Sequence, residues 1–124
     1  MDNVSFLGYN IIPPIKRIVP VLQKIDPQVL LPIANLSLGY LSGAEIGEEE
    51  FEAARNAAGI EKEPAAHLFT GLFYILRKAL RGRVKSPEFR SGLEELRIPE
   101  PVISALWKLF LARFVLDKNK AIFS

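Results

Sequence analysis

Residues 64–82 read PAAHLFTGLFYILRKALRG, and this stretch decides the fold class. Leu68, Phe69, Leu72, Phe73, Ile75, Leu76, Ala79 and Leu80 recur at three- and four-residue intervals, which gathers them into one broad apolar stripe of an α-helix. Pro64 stands where a first helical turn leaves N–H groups unpaired in any case. Arg77, Lys78 and Arg81 fall in the last turn, where cations complement the carbonyl end of the helix dipole.

The same spacing recurs on both sides, while period-2 alternation is weak throughout. Pro13-Pro14 opens a helix over about 14–25 that lines up Ile15, Ile18, Val19, Leu22 and Ile25, with Pro20 expected to kink it or divide it in two. Asp26-Pro27 is a cap followed by a first-turn proline, and it starts a second helix through Val29, Leu30, Ile33, Leu36 and Leu41 that Pro32 is expected to bend or shorten. A third helix spans Gly47 to Ala58, with Glu48, Glu49 and Glu50 at its positive end and Gly59 as its stop. Ser86-Pro87-Glu88 repeats the cap, proline and acid pattern and opens a fifth helix that buries Phe89, Leu93 and Leu96. Pro99 and Pro101 open a sixth, with Val102, Leu106, Leu109, Phe110 and Phe114 on one face and Ile103, Trp107 and Leu111 widening it. The expectation is an all-α, irregular or orthogonal bundle of about six short helices. Residues 1–12 form an N-terminal extended segment, 13–116 the helical domain and 117–124 a fraying tail.

Composition bounds the chemistry. The 124 residues are 49% hydrophobic and 24% charged, which lies outside the regime of disordered chains and suits one domain. There is no cysteine and one histidine, His67, so thiolate zinc sites, iron–sulfur clusters and multi-histidine metal sites are excluded. His67 has no serine or carboxylate at a spacing that would make it a general base, and it reads as an ordinary helix residue. Glu48 to Glu50 lack the alternating oxygen ligands and the turn glycine of a calcium loop. Gly82 to Ser86 matches a phosphate loop only in its last two letters, and a helix rather than a strand leads into it. No secretory signal is evident after Met1. The uncharged stretch from Pro27 to Ala44 reads as a buried helix rather than a membrane span, because prolines, glycines and polar residues interrupt it.

The net charge of +2 is too small to drive nucleic-acid or anionic-lipid binding on its own, but it is unevenly spread. Residues 45–63 carry a net −5 and residues 77–90 a net +5, so one acidic and one basic surface are expected. The basic stretch has no interleaved exposed aromatics of the kind that stack bases.

Two segments carry a family resemblance. Val4-Ser5-Phe6-Leu7-Gly8 with Pro13-Pro14, and Pro87-Glu88-Phe89-Arg90-x-x-Leu93-x-Glu95-Leu96-x-Ile98-Pro99, resemble the amino-terminal helical domain of the COMM-domain-containing proteins. Ile25-Asp26 ahead of an apolar helix, and Leu68 to Leu80 ahead of a basic loop, match in order and spacing. The resemblance covers roughly residues 4–115, and none of its motifs is catalytic. The family's carboxy-terminal COMM domain, a short sheet with a helix, is expected to be missing, since nothing after Lys118 supplies its strands.

The resemblance implies a non-enzymatic scaffold whose partners are other COMM-domain proteins and the coiled-coil subunits of the Commander assembly. That assembly supports endosomal cargo recycling, and the family is also linked to NF-κB regulation and copper handling. Copper does not carry over to a chain with one histidine, one methionine and no cysteine. Localisation is expected to be cytoplasmic, endosome-associated or nuclear. No cofactor, metal, small-molecule substrate or nucleic acid is expected. Trp107, Leu111, Arg81 and Arg83 are candidate protein contacts, chosen for expected exposure. The alternative is a membrane-surface adaptor that binds acidic lipid through the basic loop and an amphipathic last helix, with Trp107, Leu111 and Phe123 among Lys108, Arg113, Lys118 and Lys120.

Overall fold

In the computed structural model, residues 5–116 are described, and they form six α-helices and no strand. The all-α bundle expected from the apolar spacing is therefore observed. The helices are α1 Pro13–Leu22, α2 Pro27–Leu41, α3 Glu48–Ala58, α4 Lys62–Gly82, α5 Ser86–Glu94 and α6 Glu100–Phe110, and a π-helical extension, Leu111–Leu116, continues α6. The tail expected to fray, 117–124, lies outside the described residues.

The long helix α4 is the mast of the bundle. Leu68, Leu72, Ile75, Leu76 and Ala79 are all buried along it, and α1, α2 and α3 pack on its sides. A second hub is α2, which touches α3, α4 and α6. Three neighbours explain why its sequence is apolar around more than one face, as a buried helix must be. Among the described residues, no helix is long and apolar enough to cross a membrane.

Two contacts fix how α1 and α2 meet α4, and they fall on one turn. Ser37, the one buried polar residue among those described, donates its hydroxyl to the Phe69 carbonyl at 3.0 Å across the α2–α4 interface and lies 3.1 Å from the Ile33 carbonyl of its own helix. Two residues on, Gly71 lets α1 approach: a Cβ there would lie 2.5 Å from Ile18 Cδ1 and 2.8 Å from the Pro14 carbonyl oxygen. Glycine inside a helix costs about 1 kcal/mol relative to alanine, so this position trades propensity for closeness.

The helix ends follow local chemistry, with some shifts from the sequence reading. Asp26 caps α2 as expected, accepting from the Gln28 N–H at 2.8 Å. Gly59 ends α3 in the left-handed conformation, at φ 72°. The fourth helix starts at Lys62, two residues before Pro64, because a proline is tolerated anywhere in the first turn. Ser86 is inside α5 rather than capping it; Glu88 caps instead, its carboxylate accepting the Lys85 N–H at 2.9 Å.

Pro20 and Pro32 do not divide their helices. Each helix runs through its proline, and the carbonyls of Lys16 and Gln28, which lose their N–H partners, belong to exposed residues within reach of water. The first helix stops at Leu22 rather than near residue 25, and Lys24 and Ile25 close a turn on the Val21 carbonyl.

Gly71→Ala is expected to destabilise the bundle by about 1–2 kcal/mol, because the Pro14 backbone cannot yield as a side chain could and overpacking outweighs the gain in helix propensity. Urea denaturation followed by circular dichroism measures it.

Candidate functional site

The two segments that carry the family resemblance pack against each other. Ser5 to Gly8 form a turn, with the Gly8 N–H donating to the Ser5 carbonyl at 2.9 Å, the Leu7 N–H to Ser5 Oγ at 3.0 Å, and Gly8 at φ 91°. This turn buries Leu7 and lays the Phe6 ring on Phe89 of α5, with centroids 5.5 Å apart and planes 19° from parallel. One turn further along α5, Gly92 makes room for it: a Cβ there would come within 2.6 Å of Phe6 Cε1.

Phe6 divides a groove into two clefts. On one side Ser5, Gly82, Val84, Pro87, Glu88, Ser91 and Glu95 line a cleft of about 520 Å³. On the other, Ile12, Tyr74, Arg77, Lys78, Arg81 and Gly82 line one of about 480 Å³. The α5 bank is acidic and the α4 bank basic. Arg77 lies over the Phe73 ring at 5.9 Å, and Phe73 stands 5.1 Å from Tyr74. The basic stretch thus borders two half-buried aromatics, Phe73 and Tyr74, which precede it on α4, and no exposed aromatic is interleaved within it.

The acidic and basic stretches lie at opposite ends of α4. Glu61 and Glu63 sit at its start beside α3, Arg77 to Arg83 toward its end, and the helix holds the two groups about 20–30 Å apart. Part of the acidic charge has structural work: Glu50 accepts the Gly47 N–H at 3.0 Å, and Glu52 pairs with Arg55 at 2.8 Å. The hydrogen bond from Arg55 holds the Glu52 carboxyl below the usual range, and that from Arg90 does the same to Glu100, tying α5 to α6.

The four contact residues chosen from sequence divide between two places. Arg81 is exposed on the basic bank, and Arg83 is exposed just beyond it, at the end of α4. Trp107 and Leu111 are half-buried rather than exposed. Trp107 lies 5.3 Å from Phe89 and 5.6 Å from Phe110, in an aromatic cluster that α5 completes and that Phe114 extends at 5.4 Å from Phe110. The width of the α6 stripe is thus used in packing, and Lys118, Lys120 and Phe123 of the amphipathic face lie outside the described residues. Phe6, Ile12 and Tyr74 were not among the chosen residues. The small side chain at Gly92, between Phe89 and Leu93 on a buried face, is the sequence signal for an inserted ring. His67 is half-buried on α4, and among the described residues no group of three His, Asp or Glu side chains is placed to hold a metal ion.

Arg83 adopts the left-handed conformation, φ 50°, that closes α4, with the Val84 N–H donating to the Ala79 carbonyl at 3.1 Å. A glycine is the usual occupant of such a position.

Comparison with known proteins bears out the resemblance to the COMM-domain-containing proteins. The chain is 28% identical over 105 residues to COMM domain-containing protein 5 of Bos taurus, a match covering 82% of this chain and 46% of that protein. It is 25% identical over 109 residues to COMM domain-containing protein 5 of Dictyostelium discoideum, covering 74% of this chain and 53% of the relative. The chain spans about half the length of the curated relatives it matches. No family model and no solved structure matches it.

Arg83→Gly is expected to raise stability by about 0.5–1 kcal/mol by relieving the left-handed strain, measured by urea denaturation. Glu100 has a depressed folded-state pKa, so its contribution is present above the ordinary carboxylate range and is lost as pH falls through the lowered value. It is small, because the pair is exposed. Arg90→Ala is accordingly expected to lower Tm slightly at neutral pH and to leave it unchanged in strong acid, with melts across the acid range as the check.

Proposed function

We propose that this chain, as a relative of COMM domain-containing protein 5, is a non-enzymatic protein-interaction module of a COMM-family scaffold. Its partners are other COMM-domain proteins and the coiled-coil subunits of the Commander assembly, and its work supports endosomal cargo recycling and NF-κB-linked transcription from the cytoplasm. The observation that carries the reading is the packing of Phe6 on Phe89 and Gly92, which joins the two resemblance-bearing segments into one surface feature. A feature made by residues far apart in the chain and open to solvent on both sides of Phe6 suits recognition of another protein.

The membrane-surface alternative retains less support. One of its apolar anchors, Trp107, is held in the aromatic cluster with Phe89 and Phe110, which leaves less of the last helix free to insert beside the basic loop. Basic charge without an inserted apolar face gives weak, salt-sensitive attachment.

The protein at full length, affinity-tagged and expressed in cells, is expected to recover other COMM-domain proteins by mass spectrometry. Recovery of unrelated proteins alone would overturn the reading.

A further inference from the structure

The two banks of the Phe6 groove differ in sign, and the basic one sets three cations beside an apolar floor. We propose that the cleft lined by Phe6, Ile12, Tyr74, Arg77, Lys78 and Arg81 is a docking site for an acidic peptide segment that carries one bulky apolar side chain. The inference rests on the cleft itself and stands whether or not the family reading does.

The floor is apolar. Phe6 and Ile12 are half-buried against the core, and Tyr74 is half-buried beside them, so a cleft of about 480 Å³ offers an apolar side chain contact on more than one side. The rim is cationic. Arg77 and Arg81 are one helical turn apart, about 6 Å along the axis. Alternate residues of an extended peptide are about 6.6 Å apart, so two carboxylates at i and i+2 face the two guanidinium groups. Lys78 adds a third charge on the same stretch of α4. The cation–π contact with Phe73 holds Arg77 in place, which lowers the entropy lost on binding.

Charge complementarity selects the occupant. Among the described residues, no carboxylate forms an ion pair with Arg77, Lys78 or Arg81, whereas Arg55, Lys62 and Arg90 each have one. Across Phe6, Glu88 and Glu95 line the neighbouring cleft and repel acidic residues from it, which confines the acidic part of the peptide to the α4 side. The acidic residues Glu61 and Glu63 lie at the other end of α4, about 20 Å away along the rigid helix, and cannot fold back onto the cleft. An apolar floor beside a cationic rim fits an apolar side chain followed by carboxylates at alternate positions better than a flat headgroup layer.

Fluorescence anisotropy with a fluorescein-labelled Phe-Ser-Glu-Ser-Glu peptide, whose apolar and acidic side chains share one face when extended, tests the proposal at about 50 mM salt, where surface attraction is weakly screened. Saturable binding with Kd on the order of 100 µM is expected. Replacing the peptide's phenylalanine by serine is expected to weaken binding about fivefold or more, and Lys78→Glu with Arg81→Glu about tenfold or more. Lys108→Glu, in a different groove, is expected to change nothing. Circular dichroism checks the fold of each variant, and Lys78→Gln with Arg81→Gln replaces the reversal if that pair unsettles the helix end. Absence of saturation at about 1 mM peptide, equal binding of the serine peptide, or indifference to the double substitution would each overturn the proposal. So would capture of phosphatidylserine vesicles or an oligonucleotide through Lys78 and Arg81 by a protein that ignores the peptide.

Discussion

Gly71 is the point on which the arrangement turns. A missing Cβ on α4 lets the first turn of α1 come close enough for Ile18 and the Pro14 carbonyl to lie where a side chain would be. The start of α1 is thereby set against α4, and the residues just before it must leave along the same helix. Ile12 arrives beside Tyr74, Arg77 and Lys78 for that reason. Ser37 anchors α2 to the same turn of α4 through the Phe69 carbonyl. One turn of one helix therefore sets the positions of two others, and a change there would be felt in the groove, which begins one turn on at Tyr74.

A second small residue completes the construction. Gly92 opens α5 to the Phe6 ring, which then stacks on Phe89 and walls off two clefts. Both glycines weaken their helices in isolation and are compensated by what packs into the space they leave. The groove is thus a consequence of backbone approach, with its charges supplied by α4 on one side and α5 on the other. That α4 also keeps the acidic stretch at its opposite end gives the domain a lengthwise polarity, which a net charge of +2 conceals.

Much of the architecture was legible because it rests on periodicity and capping. The stripe from Leu68 to Leu80 predicts α4, Asp26 predicts the start of α2, and Gly59 predicts the end of α3. Where expectation and structure part, a local reason is visible. Pro20 and Pro32 lie where the carbonyls they orphan are near water, so continuing the helix costs less than the missing bond suggests. The stop of α4 is hidden because Gly82, the residue a reader would favour for a left-handed turn, is helical, and Arg83 takes the strain instead. Trp107 looked available because a stripe two faces wide gives no sign of which face a distant helix will cover; α5 covers it through Phe89. The groove was the least legible part. Phe6 and Ile12 lie far in sequence from Tyr74 and Arg81, and the close approach at Gly71 and Gly92 brings the two pairs together.

The account depends most on the N-terminal turn being docked where Gly71 and Gly92 allow. Nuclear Overhauser spectroscopy tests this directly. Strong cross-peaks between the Phe6 ring and the Gly92 Hα protons, and between the Ile18 methyl groups and the Gly71 Hα protons, are the result the account predicts, with the Gly92 signals displaced by the ring current. Absence of both sets of cross-peaks, with random-coil shifts for residues 5–12, would contradict it.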